Sequence, residues 1–329
     1  MEPAPDTSLT SRRAAAGSLL KLAALSAVTA GTAVWLRSRS RRPEEPAGLV
    51  MERDHSVPPD PSRPELAVIS GGEPATLVQR AFEELGGVRR FISPGDVVVV
   101  KPNVAWDRTP QQAANTNPEV VAEVARLCLA AGAKRVLVTD VPVNEARRCF
   151  YRSGIATAAT QAGAQVMLPE ERHFRQVDLR GEVLRLWPVL RTFIEADKII
   201  NIPVAKHHSL TRVSLGLKNW YGILGGSRHR LHQQIHESLA DLADFMRPTL
   251  TLLDAWRVLL RNGPTGGSLG DVIEKRTLIA STDAVAADAW AARQFWGIDP
   301  QSLPFLALAQ QRGLGRLDLA RVRSIEVNL

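Results

Sequence analysis

From Glu65 onward the hydrophobic positions fall into short runs separated by amphipathic stretches. LAVIS (66–70) reads as a strand and the spacing of apolar residues predicts a helix over 75–85. VVVVK (97–101) is an unbroken β-branched run, the pattern of a strand covered on both faces of a parallel sheet. Asn117-Pro118-Glu119 predicts a helix start: Asn is a good cap, Pro suits the first helical position, and Gly132 stops the helix. Further strands are expected at 135–140, 164–168, 197–203, 250–256 and 277–282, with VRSIEVNL as the last. Helical pieces are expected near 144–150 and 154–162, and a helix runs from Asp283 to Phe295. A hairpin around 176–187 would make the sheet mixed at an edge. This alternation predicts an α/β fold, a mostly parallel or mixed sheet with helices on both faces, in one domain over 65–329.

The first 64 residues follow other rules. Ser11-Arg12-Arg13 precedes a stretch from Ala14 to Leu36 whose only charge is Lys21. A twin arginine before a moderately apolar, Ala-rich segment reads as a twin-arginine (Tat) signal over 1–36. The alternative is a plain membrane anchor, since about 20 apolar residues span a bilayer. Arg37, Arg39, Arg41 and Arg42 come next; a basic flank there disfavours export of an unfolded chain. The expectation is export by the Tat machinery to the periplasm or the outer face of the cytoplasmic membrane. Contact with the membrane follows if the segment stays uncleaved. Residues 37–64 are rich in Arg, Pro and Glu without apolar periodicity, and read as an extended tether.

Composition narrows the function classes. The formal net charge of +7 is spread along the chain, and only 5% of residues are aromatic. Nucleic-acid binders show a dense basic stripe with interleaved aromatics, so no nucleic-acid partner is expected. Cys128 and Cys149 are the two cysteines, too few for a disulfide framework, a zinc ribbon or a Cys-ligated iron–sulfur cluster. Lysines number only seven in a chain of 41 Lys+Arg. A lysine kept against such a bias has some claim to need an ammonium that titrates, which Arg cannot supply.

Polar residues gather where ligands bind in such sheets, at the C-terminal ends of strands. The 97–101 run ends in Lys101-Pro102-Asn103, the 135–140 run in Asp140, and 197–203 leads into Lys206-His207-His208. LTLLD ends in Asp254, and TLIAST ends at Asp283, with Asp288 five residues on. Each alone can be a helix cap or a loop hydrogen bond; together they predict a shared pocket. Lys101, Lys206 and Lys218 would give it a positive field suited to a carboxylate or phosphate. Five of the seven histidines lie between 207 and 236, and His232 and His236 are spaced to share one helical face as ligands for a divalent metal. Residues 262–267 (NGPTGG) read as a lid or a long turn.

In order along the chain, KPN (101–103), TNPEVV (116–121), GAKRVLVTD (132–140) and KHHSLTRVSLGLKN (206–219) resemble the prokaryotic family catalogued as domain of unknown function 362. GP (263–264), STDAVAADA (281–289) and GLG (313–315) continue the resemblance. The positions matching the family's polar motifs are Lys101, Asn103, Lys206, His208, Lys218, Asn219, Asp254, Asp283 and Asp288. Many members look like they carry a ferredoxin-type module, whose cysteines this chain lacks. The expected function is that of an enzyme on a small anionic molecule, with Lys101, Lys206, His208, Lys218 and Asp254 catalytic. Asn103, Asp140, Asn219, Asp283 and Asp288 would bind the ligand. The alternative is a non-catalytic protein that binds or matures a metal or cofactor.

Overall fold

The computed structural model describes residues 49–50 and 54–329. The expected signal (1–36) lies outside the described residues, as does much of the 37–64 stretch. Of that stretch, Leu49–Val50 (β1) pairs with a strand of the domain, and His55 is buried with its N–H donating to Arg247 O. The part of the tether that is described therefore lies on the domain. Among the described residues no helix is long and apolar enough to cross a membrane.

The order continues with β2 (Leu66–Ser70), α1 (Pro74–Glu84), β3 (Val97–Pro102), α2 (Pro118–Ala130) and β4 (Arg135–Val138). Two short helices, α3 (Ala146–Arg152) and α4 (Ile155–Gln161), lead to β5 (Gln165–Val166). Then come β6 (Phe174–Asp178), β7 (Leu186–Leu190), α5 (Arg191–Glu195), β8 (Lys198–Ile202), β9 (Val204–His208) and β10 (Arg212–Ser214). The last third holds α6 (Gly216–Asn219), α7 (Ile235–Phe245), β11 (Leu250–Leu259), β12 (Val272–Ser281), α8 (Ala284–Trp296), α9 (Pro304–Gln311) and β13 (Ser324–Asn328).

A ten-stranded sheet runs in the order β13-β2-β12-β11-β8-β3-β4-β5, with β9 pairing β11 and β10 pairing β9. Its pairings are parallel except at β12, which is antiparallel to both β2 and β11, and in the β9–β10 hairpin. The mixed character thus sits inside the sheet, at β12. The hairpin expected near 176–187 is real, as β6–β7, but with β1 it forms a separate three-stranded sheet.

Alternation along β3 shows why its valines are needed on both faces. Val98 and Val100 pack in one core with α1, α2 and the α3–α4 pair, whereas Val99 packs in another with Phe193, Ile199 and Trp220. A third core joins β2, β11 and β12 to α7, α8 and α9. The cap on α2 forms as its sequence predicts, Asn117 Oδ1 accepting from Glu119 N–H.

One topological feature positions the site. From β3 the chain steps outward to β4 and β5, then returns to lay β8 on the other side of β3. Loops leaving β3 and β8 therefore diverge, which opens a crevice beyond their carboxyl ends.

Candidate active site

A cavity of about 520 Å³ lies at that crevice. Its polar wall comes from Asn103 after β3, Asp140 after β4, Lys206 and His208 on β9, and Lys218 and Asn219 on α6. Six of the residues picked from strand ends and the 206–219 segment are thus brought together.

Lys206 is 2% exposed, and its Nζ donates to Asn103 Oδ1 (2.7 Å) and Ala114 O (2.6 Å). Both acceptors are neutral, and among the described residues no carboxylate lies within ion-pair distance of it. Burial, followed by the nearby Lys218 charge, pushes its pKa down to about 7. Amide groups fix the geometry: Asn103 Nδ2 donates to Asn219 Oδ1 (3.0 Å), and Asn219 Nδ2 donates to Asn201 Oδ1 (2.8 Å) and to Lys101 O. The Asn103 oxygen is therefore held toward Lys206.

Lys218 stands 4.8 Å from the centre of the Tyr221 ring, a cation–π contact. Burial, then Arg228, lowers its pKa to about 8. The Arg228 guanidinium donates to Val141 O, Tyr221 O and Pro142 O, which ties the 221–228 segment to the loop after β4.

His208 is buried, and its Nδ1 accepts from Leu210 N–H (3.2 Å) and Thr211 N–H (3.4 Å). Burial, with Lys218 and Lys206 next, drives its pKa far below the usual imidazole range. A neutral ring whose Nδ1 accepts must carry its proton on Nε2, so His208 offers a hydrogen-bond donor.

Asp140 and Lys101 form the base of the cavity wall. Lys101 is fully buried, its Nζ 2.7 Å from Asp140 Oδ1, while Asp140 Oδ2 accepts from Val104 N–H (2.7 Å). Both carboxylate oxygens are thus occupied. Lys101, expected to be catalytic, lies behind the cavity surface, paired with Asp140 and not among the lining residues.

Three aspartates lie elsewhere. Asp254 is buried outside the cavity, accepting from Asn117 N–H (2.7 Å) and Trp256 N–H (3.0 Å). Asp288 accepts from Gly216 N–H and Leu217 N–H (2.7 and 2.9 Å), holding the start of α6. Asp283 caps α8 through Ala286 N–H and also receives Arg316 N–H. All three satisfy backbone N–H groups, the work buried short acidic side chains do most often. None of the three is among the residues lining the cavity, where they were expected to act.

His232 lines the cavity, but His236 does not share a face with it. A 3-10 segment (Arg228–Gln234) carries the first, α7 carries the second, and Gln234 breaks the helical path between them at φ −134°, ψ 59°. His236 stacks on Phe305 at 6.3 Å. Among the described residues no group of three or more His, Cys, Asp or Glu could hold a metal ion.

The structure adds residues the sequence pattern did not single out. Trp106, Tyr221, Arg228 and His229 line the cavity, and the 262–267 loop contributes Pro264 and Thr265. This loop is latched: His207 Nδ1 accepts from Gly263 N–H, Arg108 donates to Thr265 O, and Gln112 to Gly267 O. Trp106 and Tyr221 sit in sequence without periodic neighbours, so only the fold brings them in.

Among known proteins, the chain is 28% identical over 241 residues to the thylakoid-associated protein sll1697 of Synechocystis sp., covering 71% of this chain and 73% of that one. In structure it is similar to the lactate racemase apoprotein from Thermoanaerobacterium thermosaccharolyticum, at 13% identity and a TM-score of 0.40. That match covers 69% of this chain and 56% of the racemase, little more than half its length. The family described as Domain of unknown function (DUF362) matches residues 98–293, more than half of the chain, and the protein belongs to that family.

Proposed function

We propose that this protein is an enzyme that moves a proton on a small organic anion, with Lys206 as the group that takes the proton and returns it. The observation that carries this reading is the setting of Lys206: a buried amine on a cavity wall, held by two neutral acceptors, with a pKa near 7. An amine poised there is part neutral at physiological pH, and a base works best when its pKa lies near the working pH. In the neutral form two N–H groups serve Asn103 and Ala114, which leaves the lone pair as the free valence.

The rest of the wall supports the same chemistry. When a C–H proton leaves for Lys206, the electron pair stays on the substrate as a carbanion or enolate. The Lys218 ammonium and the Nε2–H of neutral His208 stand on the same cavity wall and would stabilise that charge. Reprotonation by the Lys206 ammonium closes the cycle without any oxidant or reductant.

The test is proton NMR in D2O. Purified protein is incubated with small hydroxy-, keto- and amino-carboxylic acids and with phosphorylated acids, and loss of the C–H signal adjacent to the acid or carbonyl group is followed. Wash-in of deuterium on one of them is expected, falling at least a hundredfold in Lys206→Met. No exchange on any compound, or full exchange in Lys206→Met, rejects the assignment. A metal or organic chromophore co-purifying in stoichiometric amount without exchange would favour a cofactor-binding role instead.

A further inference from the structure

We infer that the cavity is built for a ligand with two negative charges, a small organic dianion whose charge sits on carboxylate or phosphate oxygens. The inference rests on the reading of this cavity as a substrate site, and it names the class of molecule that fits.

The carrying observation is a charge imbalance that the protein leaves open. Lys206, Lys218 and Arg228 line the cavity, and Lys101 stands directly behind it. Among the described residues the one carboxylate on its surface, Asp140, already accepts from Lys101 and from Val104 N–H. Lys206 and Lys218 have no ion-pair partner among the described residues, although ion pairs are common on the rest of the molecule. Cations drawn out of water are ordinarily paired, so two unpaired ammoniums on one wall, Lys206 buried and Lys218 half-buried, mark a place where the counter-charge arrives with the ligand.

Hydrogen-bond polarity points the same way. His208 is left with Nε2–H, a donor, because Nδ1 is used by Leu210 and Thr211. The Oδ1 acceptors of Asn103 and Asn219 are spent on Lys206 and on Asn103 Nδ2 respectively. The wall is therefore rich in cations and donors, with the Asp140, Asn103 and Asn219 oxygens already engaged and the His232 ring left as its uncharged acceptor. A zwitterion's ammonium would meet Lys206, Lys218 and Arg228 with no free carboxylate to receive it, whereas a dianion's oxygens would satisfy the wall on several sides.

A dianion also makes a thermodynamic signature that a monoanion would not. Burial, with the Lys218 charge next, lowers Lys206 to about 7, and burial, with Arg228 next, lowers Lys218 to about 8 when the cavity holds no counter-charge. Two negative charges beside them favour both ammoniums, so binding must draw protons from solution.

Isothermal titration calorimetry on the purified full chain tests this. Malonate and succinate serve as dicarboxylate probes, 2-phosphoglycolate and inorganic phosphate as phosphate probes, and acetate as the monoanion. Titrations at pH 8 in buffers of different ionisation enthalpy count the protons taken up. At least one dianion is expected to bind tenfold or more tighter than acetate, with net uptake of half a proton or more. Preference between malonate and phosphoglycolate tells which oxygens the site takes. Lys218→Gln should reduce the dianion-to-acetate ratio at least fivefold, its melting curve reporting that it is folded. Acetate binding as tightly as every dianion, or dianions binding without proton uptake, overturns the inference. Exchange in D2O confined to monoanions would sink it while leaving the Lys206 mechanism standing; dianion binding without any exchange would do the reverse.

Discussion

A methyl group added at Gly222 would overlap the Asp140 carboxylate and come within 2.7 Å of Lys101 Nζ. The same residue accepts Val141 N–H at its carbonyl (2.8 Å), so backbone, carboxylate and ammonium meet where only glycine fits. Gly222→Ala should therefore push the Lys101–Asp140 pair apart and strain the cavity wall. The expected cost is about 2–4 kcal/mol of unfolding free energy, from overpacking plus a weakened buried ion pair. Urea denaturation reads it directly, and an unchanged midpoint would show that the wall yields without loss. The sequence places Gly222 in a glycine-containing segment near two lysines, so a close backbone approach is legible there. Its partner is not, because Asp140 lies 82 positions earlier on a different strand. The same limit applies to Lys101: strand-end position and lysine scarcity mark it, but only its 2.7 Å pairing separates an anchor from a catalytic group.

At the scale of elements, the aspartates show how one residue type at one kind of position serves two ends. Asp140 and Asp254 both stand at or near strand ends, yet Asp254 sits on β11 one strand beyond the crevice, where α2 begins. Its two oxygens take the N–H of the α2 cap residue and of Trp256, at the point where the β11–β12 register shifts. Burial raises its pKa to about 6 in spite of those bonds. Asp254→Ala leaves two buried N–H groups without acceptors, a loss of about 2–4 kcal/mol of stability. Deuterium exchange per folded molecule should stay within about twofold of the parent; a collapse of exchange in a fully folded variant would return Asp254 to the catalytic set. Strand ends can be found from hydrophobic runs, which is why five were identified. Which of them face the crevice depends on strand order, and the outward step to β4 and β5 before the return to β8 leaves no mark on local periodicity. The β9–β10 hairpin illustrates this: its polar, His-rich residues read as loop, yet pairing with β11 makes them a strand.

For the molecule as a whole, the unpaired lysines make stability and function pull in opposite directions. The folded pKa of Lys206 is about 7 and that of Lys218 about 8, each below the ordinary value of 10.5 that an unfolded chain shows. Above pH 7 the unfolded state therefore binds more protons than the folded one, so unfolding free energy rises with pH. Each lysine adds a slope of up to about 1.4 kcal/mol per pH unit within its window. Above about pH 9 the buried thiols of Cys128 and Cys149 and the Tyr221 hydroxyl, all raised by burial, work in the opposite sense. Below pH 7 the raised carboxyls of Asp254 and Asp288 and the lowered imidazole of His208 offset each other. The clean window is pH 7 to 9, where the unliganded protein should gain about 1–3 kcal/mol of stability. Melting or denaturant titration across that window checks the slope. Lys206→Met should flatten it and raise stability at pH 7, because the variant no longer buries an unpaired cation. A saturating dianion should flatten it too, by restoring both lysines toward their ordinary pKa. A parent protein whose stability is level from pH 7 to 9, or a Lys206→Met variant with the parent's slope, would mean that these ammoniums are not held unpaired in the fold.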